Sequence, residues 1–199
     1  MKIPVRLSLH IEQWQLKKPF RIAGYCYTAR EIVVVELDTG KFRGRGEAWY
    51  LYYCDETIDS VVKQIESIAP QIEKGINRQE LLELLPPGGA RNAVDCALWD
   101  LEAKQLDKTI WELTGITPKP VTTALTIGLE ETPENMALNA KEAADYPILK
   151  IKLDDNRPVE RVAAIRSARP DVRLAIDANQ GWTFQQLVEI TPKLVEILI

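Results

Sequence analysis

Histidine occurs once and cysteine three times in this chain, which leaves little from which to build a zinc site or a disulfide framework. His10 lies in an alternating strand pattern with no metal-ligating neighbour and reads as structural. Cys26, Cys54 and Cys96 are odd in number and irregularly spaced, which suits a reducing compartment. No apolar run approaches the roughly 18 residues of a membrane span, and the opening MKIPVRLSLHIEQWQL has no continuous apolar stretch of leader length. An excess of one charge is also missing: 25 Lys and Arg stand against 29 Asp and Glu, a net of −4, with no basic stripe or run of like charge. Neither nucleic acid nor a membrane is therefore expected as a partner. The reading is a soluble, cytoplasmic protein. Its 199 residues, 46% of them apolar, suffice for one large or two modest domains.

The first half of the chain alternates, then turns helical. Val5, Leu7, Leu9 and Ile11 interleave with polar residues as in a half-buried strand, Ile32 to Leu37 reads as a more buried one, and Gly40 marks a hairpin turn into Phe42 to Trp49. Between the first two strands, PFRIAGYCYTARE is too long for a tight hairpin and is expected to be either a mobile functional loop or a plain surface connection. Ile58 to Ile72 has the spacing of an amphipathic helix, and Gly88 and Gly89 introduce a second, with Val94, Ala97, Leu98 and Leu101 as its stripe and Trp99 and Trp111 adding bulk. Asp95, Asp100 and Glu102 face different sides of that helix and read as solvated or capping rather than as a carboxylate cluster. A meander followed by helices is an α+β domain, ending near Gly115 in the connector ITPKP.

From Val121 the pattern becomes strand and helix in alternation. VTTALTIG is a strand, and Thr132-Pro133-Glu134 opens a helix with an N-cap and a proline in its first turn. Ile148 to Leu153 is a buried strand; a helix follows from about Pro158 to Ala168, stopped by Pro170. Arg173 to Ala178 is a strand carrying Asp177 near its end, and Thr183 opens a last helix. These are three β/α units of about 30 residues each, expected to pair in parallel.

The chemistry concentrates in the last two strands. Side chains alternate across a strand, so Lys150 and Lys152 share a face. Two adjacent ammonium groups repel and resist desolvation unless an anion is near, conditions that bring a lysine towards acting as a base. Two plainer readings compete: an edge strand protected by lysines, and an aspartate that only caps a helix.

Lys150-x-Lys152 on one strand and Asp177 at the end of the next resemble the enolase superfamily, within it the muconate lactonizing enzyme-like group that includes the L-Ala-D/L-Glu dipeptide epimerases. ARNAVDCALWDLEAK and GRGEA are similar to that family's capping domain, and TALTIGLEETPENM and KIKLDDNRPVERVAAIRSARPDVRLAIDANQGW are most similar to its dipeptide epimerases. The resemblance implies an α+β capping domain over residues 1–117, followed over 118–199 by about three β/α units of an incomplete (β/α)8 TIM-type barrel. It implies that Lys152 is one of two acid/base catalysts, that Lys150 tunes it and helps hold a substrate carboxylate, and that Asp177 is a ligand of Mg2+. It also implies substrate-binding roles for Thr126, Ile22, Tyr25 and Asn179, with the segment Ile22 to Tyr27 closing over the site. The small-molecule substrate would be a dipeptide and the protein a homo-oligomer.

Those residue types suit the chemistry. A proton α to a carboxylate is weakly acidic, so its removal needs a placed base and a cation that takes up developing charge, and a hard cation takes oxygen ligands. The family's second lysine, its other two metal ligands and its amino-group motif belong to later strands, so the chain by itself is expected to be incomplete and inactive. Muconate cycloisomerase and o-succinylbenzoate synthase use a similar lysine pair and stand as alternatives. So does a non-catalytic remnant acting at most as an association module.

Overall fold

The alternation that begins at Val5 does form a strand, but one that runs well past the periodic stretch. In a computed structural model, which describes residues 4–198, strand β1 spans Arg6–Ile22, β2 Tyr25–Asp38 and β3 Arg43–Ala48, hydrogen-bonded in the order β1-β2-β3. The long loop expected between the first two strands is not there. Its residues extend both strands to a two-residue turn at Ala23-Gly24, where Gly24 takes φ +75°, a conformation open to glycine without steric cost. Polar and aromatic residues without strict alternation hid the extension, although Tyr25, Tyr27 and Thr28 are good strand formers. The second turn is as expected: Gly40 has φ +84°, and β2 and β3 pair antiparallel from Val33 with Ala48 to Asp38 with Arg43.

The helix expected over 58–72 is two helices, α1 (Ile58–Ser67) and α2 (Ala69–Glu73). Pro70 supplies no amide hydrogen and disfavours helical geometry in the residue before it, so the chain breaks near Ile68. Helix α3 (Arg78–Leu84), unforeseen in the sequence, starts at Asn77, whose side chain accepts the Gln79 and Glu80 amides while Glu80 returns a carboxylate to the Asn77 amide. Helices α4 (Gly89–Leu106) and α5 (Ile110–Thr114) follow. Glu56 accepts the Gly89 amide at 3.0 Å and the Leu51 amide at 2.8 Å, placing a carboxylate at the positive end of α4.

Helix α4 buries Ala93, Val94, Ala97 and Leu101 in a core shared with Val33, Val35, Leu37, Val61, Ile65 and Leu81. It lies so close to β3 that a Cβ at Gly44 would strike the Ala97 carbonyl, and one at Gly46 the Ala93 carbonyl. That is the physical reason for glycine at both positions of GRGEA. Of the carboxylates read as solvated or capping, two are tied into the fold. Asp100 accepts the Arg45 amide at 2.8 Å and Lys104 Nζ at 2.7 Å. Glu102 pairs with Arg78 Nε at 2.9 Å, and that guanidinium lies 3.3 Å from the centre of the Trp99 ring.

The chain divides into two compact units, one made of residues up to Gln15 with Ala29–Pro118, the other of Leu16–Thr28 with residues from Lys119 onward. The hairpin tip, placed by sequence in a domain of residues 1–117, thus groups with the later residues. Its anchors are specific: the Leu129 amide donates to the Arg21 carbonyl at 2.9 Å, Ile22 is buried, and Gly181 leaves room for the Ala23 methyl.

In that second unit β4 (Leu125–Ile127), β5 (Ile148–Lys152) and β6 (Arg173–Asp177) form a parallel sheet in the order β4-β5-β6. The first strand is shorter than VTTALTIG suggested. Helices α6 (Pro133–Glu142), α7 (Pro158–Ala168) and α8 (Phe184–Leu198) alternate with the strands; Thr132 caps α6 and Thr183 bonds the Gln186 amide at the start of α8. Ile127, Met136, Leu149, Ile151, Val162, Ile165 and Leu194 make the core. Among the described residues this sheet has three strands, and Ile199, read as the end of the helix that Thr183 opens, lies outside them.

Helix α7 fastens its neighbours through arginines. Arg169 donates to the Ala143 carbonyl at 2.7 Å and the Tyr146 carbonyl at 3.1 Å, just past the end of α6. Arg166 donates to the carbonyls of Ile197 and Leu198, at the end of α8, at 3.2 and 3.3 Å. Both place a cation at the negative end of a helix. Among the described residues, no helix is long and apolar enough to cross a membrane.

Gly46→Ala is expected to lower the unfolding free energy by about 1–3 kcal/mol, the usual cost of overpacking. Gly115→Ala, at a site with open space around its Cβ position, tests positive-φ strain without a clash. Urea denaturation of the two variants separates the effects, and an unchanged midpoint for Gly46→Ala would contradict the close packing of α4 on β3.

Candidate active site

The register of the parallel sheet decides which side chains meet. Leu149 and Ile151 point one way from β5 and are fully buried, so Lys150 and Lys152 point the other. Thr126 stands opposite Lys150, and Lys152 stands opposite Asp177, so all four residues share one face. One Asp177 oxygen, Oδ2, accepts both ammonium groups, Lys150 at 2.7 Å and Lys152 at 2.8 Å. The anion that two adjacent lysines require is therefore the residue that the next strand delivers.

The lysines are not equivalent. The Lys152 side chain is 9% exposed and that of Lys150 42%. Lys152 also donates to Asn179 Oδ1 at 2.7 Å, while the Asn179 amide donates to Asp177 Oδ1 at 2.9 Å. Asn179 and Gln180 both have positive φ, +48° and +62°, a turn that asparagine tolerates better than most residues and that folds its side chain back onto the strand ends. Burial pushes the Asp177 carboxyl pKa up, but hydrogen bonds from Lys150, Lys152 and the Asn179 amide outweigh it and hold the group far below the usual carboxylate range.

The residues predicted from sequence fall into two groups. Lys150, Lys152, Asp177 and Asn179 are in direct contact, with Thr126 beside them in register. Asn179, expected to bind substrate, accepts a hydrogen bond from Lys152 on its side-chain oxygen. Ile22 and Tyr25 line a separate hollow with Glu130, Asp154, Asn156 and Arg161; Ile22 is buried, and Tyr25 is exposed and stacked on Tyr27. Arg161 is 2% exposed and was not foreseen, because its partners are the backbone carbonyls of Glu130 and Asn156.

A magnesium ion needs several oxygen donors. Asp177 is a donor of the right chemistry at a strand end. Among the described residues, however, no three His, Cys, Asp or Glu side chains converge on a point that could hold a metal ion.

Residues 5–115 match the family model described as mandelate racemase / muconate lactonizing enzyme, N-terminal domain, and residues 135–198 the model described as enolase C-terminal domain-like. The chain is 44% identical over 179 residues to the L-Ala-D/L-Glu epimerase of Escherichia coli (strain K12), covering 88% of this chain and 56% of that one. The solved structure of an enolase family member from Agrobacterium tumefaciens with homology to dipeptide epimerases, holding sodium and L-Ala-L-Glu, superposes with a TM-score of 0.91 at 36% identity, covering 98% of this chain and 60% of that one. A dipeptide epimerase from Enterococcus faecalis V583, complexed with Mg and L-Leu-L-Tyr, gives a TM-score of 0.87 at 27% identity, covering 98% of this chain and 59% of that one. The chain thus spans about half the length of the curated relatives it matches.

Because the pKa of the Asp177 carboxyl is lower in the folded chain than in the unfolded one (about 3.9), its ionised form stabilises the fold above that value, and the contribution fades as pH falls towards the folded pKa. The stability difference between the native chain and Asp177→Asn is expected to be largest near pH 7 and to shrink below about pH 4. Urea titrations at pH 7, 4 and 3 measure it, and a difference independent of pH would remove the lysine pair as the cause.

Proposed function

Since the chain belongs to the mandelate racemase / muconate lactonizing enzyme family of the enolase superfamily and is homologous to its dipeptide epimerases, we propose that it contributes part of the active site of a dipeptide epimerase of the L-Ala-D/L-Glu type. The observation that carries this reading is the junction of Lys150, Lys152 and Asp177 on one face of a parallel sheet. A structural ion pair needs one lysine. Two lysines on one carboxylate provide a group to hold a substrate carboxylate and another to work on the carbon beside it.

Lys152 is the acid/base residue of the proposal. It is nearly buried, and Asn179 and Asp177 fix its ammonium from two sides, which gives the proton a defined position. Lys150, more exposed on the same face, takes the substrate carboxylate. Asp177 is the residue that would bind magnesium in the completed site, where the ion would stabilise negative charge on the substrate. Thr126 lines the same face, and Ile22 and Tyr25 at the hairpin tip contribute to recognition of the substrate's side chains. A base on the opposite face of the α-carbon, needed for inversion, would come from outside these three strands.

The reading is tested in a chimera in which residues 4–198 replace the matching part of the Escherichia coli relative. With L-Ala-L-Glu and Mg2+ in D2O, exchange of the α-proton is expected by NMR, and Lys152→Ala should reduce its rate by about 10^2–10^4-fold. Undiminished exchange in that variant would overturn the assignment. Asn179→Ala should lower kcat with little change in KM, the signature of a residue that acts by positioning Lys152; a rise in KM alone would return it to substrate binding.

A further inference from the structure

The hairpin tip rests on the chain just beyond two strands of the second sheet, and at both places the residue beneath it is glycine. Gly128 follows β4 directly, and Gly181 lies in the turn after β6. A Cβ at Gly128 would stand 3.4 Å from the Arg21 carbonyl oxygen and 3.5 Å from the Phe20 ring, which is ordinary contact. A Cβ at Gly181 would stand 2.7 Å from the Ala23 methyl, about 1 Å inside contact distance. That methyl is bonded directly to the backbone and cannot turn aside, so the hairpin or the turn beneath it would have to move.

The turn beneath it is the one that sets the lysine. The Gly181 amide closes it by donating to the Ala178 carbonyl at 2.8 Å, and its two central residues, Asn179 and Gln180, have positive φ. Asn179 accepts Lys152 Nζ at 2.7 Å and donates its own amide to Asp177. On the far side Trp182 Nε1 donates to the Asp154 carbonyl at 2.8 Å, which ties the turn to the segment after β5. A turn of four residues held at both ends has no slack, so a push on Gly181 reaches Asn179. A shift of about 1 Å along it would carry the bond to Lys152 out of hydrogen-bond range.

We propose that Gly181 and Ala23 are positioning residues: the hairpin tip, seated through Ala23 on Gly181, keeps the Asn179 turn in the place where it fixes the Lys152 ammonium. Covering the site and aligning its lysine are then a single event. The inference rests on Lys152 as the acid/base residue, while the hold of the tip on the turn is measurable without that reading.

The test is a double-mutant cycle of Gly181→Ala and Ala23→Gly. In the full 199-residue chain, Gly181→Ala is expected to speed hydrogen exchange at the Leu129 amide, which donates to the Arg21 carbonyl, and to shift the NMR signals of the Asn179 side chain. Both effects should shrink in the Ala23→Gly background. Contact with the Ala178 carbonyl, 2.9 Å from the same Cβ position, accounts for the part that stays. Ala23→Val adds bulk from the hairpin side and should shift the same Asn179 signals, whereas Gly128→Ala should not. In the chimera with the Escherichia coli relative, Gly181→Ala should lower kcat by about 10–10^2-fold with a smaller change in KM. Adding Ala23→Gly should restore about threefold or more of that loss. Effects of Gly181→Ala that are the same with and without the Ala23 methyl, or Asn179 signals unmoved by Ala23→Val, would overturn the proposal. A chimera inactive in its unaltered form would overturn the epimerase reading instead, and the signals of the 199-residue chain would still decide whether the tip holds the turn.

Discussion

One carboxylate oxygen shared by two ammonium groups holds the centre of the second unit together. Lys150 and Lys152 can occupy the same face of β5 only because Asp177 arrives opposite them, and it does so only in one register of β6 against β5. A slip of one residue would turn Asp177 towards the opposite face, on which β5 places Leu149 and Ile151, and would leave two cations without an anion. Apolar alternation and charge pairing thus demand the same register. Asn179 extends the arrangement past the strand end, where its left-handed backbone returns the side chain to Lys152.

The two units solve the problem of holding helices to a sheet differently. In the first, the answer is removal of side chains: Gly44 and Gly46 let α4 approach β3 until backbone meets backbone, and Glu56 receives the first amide of that helix. In the second, it is addition of long polar ones. Arg166 and Arg169 reach from α7 to the ends of α8 and α6, where helix carbonyls have no partners within their own helix. A guanidinium spreads its donors over several carbonyls, and Arg169, which is buried, adds an ion pair with Asp171 at 3.4 Å.

The parts legible in the sequence are those where one period runs unbroken or where a rare combination stands at a fixed offset. The three parallel strands, the caps at Thr132 and Thr183 and the junction of Lys150, Lys152 and Asp177 are of this kind. The hairpin tip was not legible, since Phe20 to Tyr27 lacks alternation and its two-residue turn is announced only by Gly24. Nor was the break between α1 and α2, where a helical period continues through Pro70 although the backbone cannot follow it. Arg161, Arg166 and Arg169 do not stand out in the sequence, because their acceptors are mainly backbone carbonyls, which every residue carries and no sequence distinguishes. Asn179 was singled out, but its bond from Lys152 was not legible, because spacing from Asp177 reveals a turn and not what the turned side chain meets.

The grouping of Leu16–Thr28 with the later residues bears on how such a chain can be cut and recombined. The polypeptide passes from one unit to the other three times, near residues 15, 28 and 118, so the connector ITPKP is not the only covalent tie. A protease that opened that connector would leave two polypeptides, with the hairpin tip on the first still bonded noncovalently to the second through Arg21 and Leu129. Grafting residues 119–198 alone onto another protein would leave behind Arg21, Ile22 and Ala23, and with them the partner of the Leu129 amide. A graft that keeps the contacts of the second unit therefore carries the hairpin tip Leu16–Thr28 together with the residues from Lys119 onward.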